Sequence, residues 1–188
     1  MDSTLKMNDV RRPLPVEGFR LRLRPVVADD SEYIYALRTD PRYNAYLSPV
    51  SGGVDAQRHW IACYMEREAQ GREVYFVIER RADARRCGVV RLYDIAEQQF
   101  TWGSWILDES KPSKAGLESA VLIYQIGFEH LQKRKAVFDV RRDNAHTISF
   151  HRRFGATETG FDEINIYFEY YRDRFFADLA NYQRLLAK

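Results

Sequence analysis

Three strand-like runs follow one another with no helix between them, and then the apolar rhythm changes. The runs are EVYFVIERR, CGVVRLYDI and FTWGSWIL, and the short stretch ADA between the first two suits a hairpin connection. Strands joined this tightly pair antiparallel, because parallel neighbours need a crossover of a dozen or more residues. From Leu117 the apolar positions become Leu117, Ala120, Val121, Tyr124, Phe128 and Leu131. Those steps of three and four draw one stripe down a helix. KAVFDV then reads as a short apolar strand, and strand–helix–strand implies a parallel pair. A sheet that is antiparallel in one part and parallel in another must be mixed, with helices on its faces.

The flanking segments extend this order. FRLRLRPV alternates, with Phe19, Leu21 and Leu23 on one side and three arginines on the other, a strand with one wet face. ADDSEYIYALRTD reads as a helix with Asp29, Asp30 or Ser31 as N-cap, and DAQRHWIACYMEREAQG as a second, capped by its aspartate, with Trp60, Ile61 and Tyr64 inward. Residues 144–154 give another helix, with His151 in its apolar stripe. ATETGFDEINIYFEYY gives one or two strands, and DRFFADLANYQRLL a closing helix. The expected fold is α+β: an α/β mixed sheet of about six to seven strands flanked by helices. Residues 1–18 read as a flexible leader, and 19–188 as a single domain.

Several function classes fall away on composition. A net charge of +2 concentrates no basic surface, which gives no reason to expect nucleic acid. No run is long enough to span a bilayer, and no apolar signal core opens the chain, so a cytoplasmic protein with no membrane partner is expected. Two cysteines, Cys63 and Cys87, without metal spacing suggest neither a disulfide scaffold nor a metal site.

DPRYNAYLSP before the Trp-Ile helix, WILDES at the end of a strand, and RRDNAHTISFHRRFGA occur in an order that resembles the GNAT family of acetyl-CoA-dependent N-acetyltransferases, over about residues 19–171. The branch that looks closest contains the ribosomal-protein alanine acetyltransferases. The resemblance implies acetyl-CoA as cofactor and direct transfer of its acetyl group to a primary amine. Such a site must take a proton from the amine, whose reference pKa is roughly 10, and return one to the thiolate.

Site residues follow by resemblance. Backbone groups of Trp105, Ile106 and Leu107 would pair with the pantetheine arm as an added strand does. The stretch 108–119 would cradle the pyrophosphate through Lys111, Ser113, Lys114, Ala115, Gly116 and Leu117 at a helix start. It departs from the family pattern: Pro112 takes an Arg or Gln position, and Ser113 and Ala115 take glycine positions. Asn144 matches the arm-contacting asparagine and suits a helix N-cap equally well. His151 stands where many members carry a tyrosine that protonates the thiolate, and a reference pKa near 6.5 would let an imidazole do so. Asp94 and Glu97 are candidate bases, with Asp139, Thr101 and Ser104 also near.

For the acceptor, the segment SFHRRFGATETGFDEINIYFEY looks like a subset that acetylates nucleotide-linked amino sugars in surface-glycan assembly. Tyr93, Phe100, Trp102, Trp105 and Tyr167 offer aromatic faces, and Arg91, Arg141 or Arg142 could meet a diphosphate. Protein N-termini and polyamines remain as other acceptors. A degenerate module that binds without catalysis remains as another class. Monomer and homodimer are both open.

Overall fold

The computed structural model describes residues 15–188. Most of the leader expected over 1–18 therefore lies outside the described residues, but Val16–Glu17 (β1) pair antiparallel with Leu23 and Arg22 of the next strand. One eight-stranded sheet has the order β1-β2-β3-β4-β5-β6-β8-β7. Its other members are β2 (Leu21–Pro25), β3 (Val74–Arg80), β4 (Arg86–Tyr93), β5 (Gln99–Leu107), β6 (Lys135–Arg141), β7 (Thr157–Phe161) and β8 (Asn165–Tyr171). The count exceeds the expected six to seven because the two-residue β1 adds an edge and the 157–171 segment forms two strands.

The meander β3–β4–β5 is antiparallel, and β5 and β6 are parallel, as the rhythm of the sequence requires. Among the described residues six α-helices accompany the sheet: α1 (Ser31–Thr39), α2 (Pro41–Asn44), α3 (Val54–Ala69), α4 (Ala115–Gln125), α5 (Ala145–Phe154) and α6 (Arg172–Ala187). α3 begins one residue before the expected aspartate, with Gly53 as its cap. Alternation along the strands sends side chains to opposite faces. On one face Leu21, Phe76, Val90 and Leu92 pack with Val121, Tyr124 and Phe128 of the α4 segment. On the other, Val77, Val89 and Ile106 pack with Ile34 of α1 and Ile61 and Tyr64 of α3. Leu21 and Leu23 are buried as their alternation predicts, whereas Phe19 is exposed. No helix among the described residues is long and apolar enough to cross a membrane.

Candidate functional site

The parallel pair barely holds together. β5 and β6 are in register only at Gln99–Lys135 and Phe100–Ala136, and beyond those residues they part. The β6-facing edge of β5 from Thr101 to Leu107 thus has no strand partner among the described residues. On its other edge β5 stays paired with β4 but slips. Ile106 faces Val89 and Gly103 faces Arg91, so Val90 lies opposite both Ser104 and Trp105. This is a bulge, with Ser104 at φ +48. A bulge bends its strand and raises the local twist, which turns the edge of β5 outward. The side chains there are occupied. Trp105 Nε1 donates to Ser119 Oγ of α4 (3.1 Å), and Ile106 is buried on the α1–α3 face. What Trp105, Ile106 and Leu107 leave toward the gap is main chain.

The turn after β5 ends at a usable helix start. Asp108, nearly buried, accepts hydrogen bonds from Tyr33 Oη (2.7 Å) and from the amide of Ser110 (2.7 Å), which fixes the chain as it leaves the sheet. Ala115 N donates to Pro112 O (3.3 Å). The amides of Ser113, Lys114, Gly116 and Leu117 carry no hydrogen bond within the described residues, so they stand free at the positive end of α4. The difficulty raised by Ala115 at a glycine position dissolves, because Ala115 is already helical. The left-handed residue is Lys114, at φ +63. The side chains of Lys111 and Lys114 do not reach toward the expected pyrophosphate position. Lys111 Nζ donates to Asp108 O (3.3 Å) and Lys114 Nζ to Leu185 O (2.7 Å).

Across the gap, Asn144 caps α5 by accepting from the amide of Thr147 (3.1 Å), and Gly155 ends the helix at φ +95. His151 faces the floor of the gap among Phe138, Phe150, Trp102 and Phe168, with ring centroids 4.4 to 5.8 Å away. It is 3% exposed, and its Nδ1 has no partner. Burial lowers its pKa to about 3. The ordinary histidine pKa assumed from the sequence is therefore corrected: near pH 7 the imidazole is neutral and has no ionic proton to give. Trp102, which lines the same cleft, is buried edge-on to Tyr124, whose phenol its indole N–H faces.

Asp94 and Glu97 are a second correction. Both are exposed on the turn between β4 and β5, at the closed end of the gap, and neither lines it. The carboxylate that does is Asp139 of β6, facing Tyr93. Burial first, then the charge of Asp139, raises the pKa of the Tyr93 phenol.

The cleft has a volume of about 370 Å³, and a neighbouring cavity of about 390 Å³ shares Arg38, Ser48 and Ser104 with it. The segment after α2 roofs both: Tyr46 Oη donates across the gap to Asp143 O (3.1 Å), beside the α5 cap. The second cavity adds Gln57, Trp60, Tyr75 and Arg91, and none of its lining residues is acidic. Of these only Arg91 is marked by the sequence for the acceptor. Trp60 and Tyr75 follow the inward pattern of α3 and β3, so nothing local marks them. Tyr167 lines neither cavity, although it pairs with Asp139 across β6 and β8; its hydroxyl donates to Asp162. Phe100 is buried against Phe128.

A family model described as an acetyltransferase (GNAT) domain matches residues 20–157. Among solved structures, the chain is similar to apo FdhC, a nucleotide-linked sugar GNAT, with a TM-score of 0.86 and 37% identity over 92% of this chain and 98% of that one. Spermidine N-acetyltransferase from Vibrio cholerae, solved with CoA and spermine, gives a TM-score of 0.71 at 16% identity over 84% and 98% of the two chains. A ribosomal-protein alanine acetyltransferase from Vibrio fischeri gives 0.70 at 14% over 84% and 96%. The last two likenesses are of fold alone. No curated protein sequence matches the chain significantly.

Proposed function

The chain belongs to the GNAT acetyltransferase family and is an N-acetyltransferase, and on that premise we propose that it transfers an acetyl group from acetyl-CoA to the amine of a nucleotide-linked amino sugar. The gap fits such a donor. The unpaired edge at Trp105–Leu107 holds the pantetheine amides, and the free amides of Ser113, Gly116 and Leu117 hold the diphosphate at the start of α4. Asn144 adds its side-chain amide next to the arm while its oxygen caps α5. Acetyl-CoA supplies the activated acetyl group as a thioester. Around that group Asp139, through water or Tyr93, receives the proton the amine gives up. His151 offers the sulfur a hydrogen bond from the single N–H of its neutral ring.

One observation carries the choice of acceptor. The cavity opening onto the bulge at Ser104 is lined by Arg38, Arg91 and Trp60 and by no carboxylate. A diphosphate finds the guanidinium fork of Arg38 there, with the charge of Arg91 beside it, and a sugar or base finds an aromatic face, whereas a polyamine would meet like charge. The likeness to a nucleotide-linked sugar GNAT supports the same reading. Thiol release measured over a panel of nucleotide-linked amino sugars, free amino sugars, peptides and spermidine tests it. The expected kcat/KM favours nucleotide-linked sugars by roughly a hundredfold, about 2.7 kcal/mol. Peptides or spermidine turned over equally well would overturn it.

A further inference from the structure

Two groups in the acceptor cavity are unsatisfied in a way that the fold does not need. Arg38, on the last turn of α1, has no carboxylate partner among the described residues, and its Nη2 donates only to Ser48 O (2.9 Å). Arg91, on the far wall, differs: it shares the buried carboxylate of Glu73 with Arg67. Tyr75, on β3, is 2% exposed, and its oxygen faces the guanidinium of Arg38, which can only donate to it, so the phenol O–H has no acceptor. Its ring is held edge-on by Trp60 and Tyr64, at 5.9 and 6.1 Å between centroids, and its amide donates to Tyr64 Oη (2.8 Å). The phenol is thus fixed in direction at the cavity wall while its O–H is left unpaired. A buried hydroxyl whose O–H has no acceptor costs about 1–3 kcal/mol. Such a cost is tolerated where the partner arrives with a ligand.

We propose that Arg38 and Tyr75 form the anchor for the phosphoryl oxygens of the acceptor and so set the preference for a nucleoside-diphosphate-bearing amine; this rests on the nucleotide-sugar reading above. Donors converge on the cavity from two elements, α1 (Arg38) and β3 (Tyr75), while Arg91 of β4, its fork already held by Glu73, adds charge to the wall. That arrangement suits a tetrahedral group, whose oxygens point several ways, better than a planar carboxylate, which one guanidinium fork satisfies. Ser104 lies in the lining of both cavities, which places the anchor beside the acetyl end of the cleft. The two residues position the acceptor and take no part in the bond exchange.

Titration calorimetry with uridine diphosphate and thymidine diphosphate on wild type, Arg38→Met and Tyr75→Phe tests this, with acetyl-CoA titrated in parallel to show that each variant is folded. Arg38→Met is expected to weaken nucleoside diphosphate binding by roughly tenfold to a hundredfold, and Tyr75→Phe by about fivefold to tenfold. In turnover the loss falls on KM for the nucleotide-linked sugar rather than on kcat. Tyr75→Phe is also expected to melt no lower than wild type, since it removes a buried O–H that has no acceptor. Melting lower would make the hydroxyl structural and overturn its part. Wild-type turnover of nucleotide-linked sugars with Arg38→Met binding the nucleoside diphosphates as tightly as wild type would overturn the anchor and leave the function standing. No turnover of any such sugar by the wild type overturns the function, and the anchor with it.

Discussion

His151 owes its state to rings that come from four different segments: Trp102 on β5, Phe138 on β6, Phe150 on its own helix and Phe168 on β8. Its place in the apolar stripe could be read from RRDNAHTISFHRRFGA; its protonation could not, because most of the cage is distant in sequence. The consequence for stability has a definite sign. The folded-state pKa lies near 3 and the unfolded near 6.5, so between those values the unfolded chain binds the proton and the native chain does not. Stability is therefore lost as pH falls through that window, by up to about 1.4 kcal/mol per pH unit. In His151→Phe the fall in melting temperature between pH 6 and pH 4 should be shallower than in wild type; parallel curves would mean that the imidazole is not held neutral. His151→Ala should lower turnover while leaving acetyl-CoA affinity largely intact, and unchanged turnover would return the residue to packing alone. Asn144→Ala should cost about 1 kcal/mol in denaturant unfolding through the lost cap. Asp94 and Glu97 were misplaced because their distance along the chain from the fourth and fifth strands says nothing about which end of the gap stays open.

At the scale of elements, periodicity was enough for nearly every helix and strand from β2 onward. It missed α2, whose four residues are too few to show a period, and β1, whose two residues exist only as an edge on β2. It also missed the bulge. No glycine marks position 104, and a register slip lives in the pairing of two strands rather than in either one. Gly88 shows how closely the pair is fitted: a Cβ there would lie 2.3 Å from Ile106 O. Gly88→Ala must push β5 away from β4, at a cost of about 1–3 kcal/mol. Because the same stretch of β5 presents its other edge to the gap, the variant should also bind acetyl-CoA more weakly. A Gly88→Ala protein with wild-type stability and affinity would show that β5 yields freely.

For the whole molecule, the mixed sheet followed from one change of rhythm, but the cavity lined by Arg38 and Arg91 did not. It gathers residues from α1, α3, β3, β4, β5 and the segment after α2, and apart from Arg91 nothing in their own elements marks them. If the gap takes acetyl-CoA, the ligand must stabilise the native chain by mass action, about 2.7 kcal/mol at a hundred times its Kd. A domain of this size should then melt roughly 5–10 °C higher with acetyl-CoA than without. No shift at saturating concentration would sink the assignment of the gap. The Tyr46 phenol meets Asp143 in water, where a hydrogen bond nets only about 1 kcal/mol. At that strength the latch is undone in roughly one molecule in six at any moment. Parting that contact therefore adds little to what it costs to admit a ligand beneath the segment after α2.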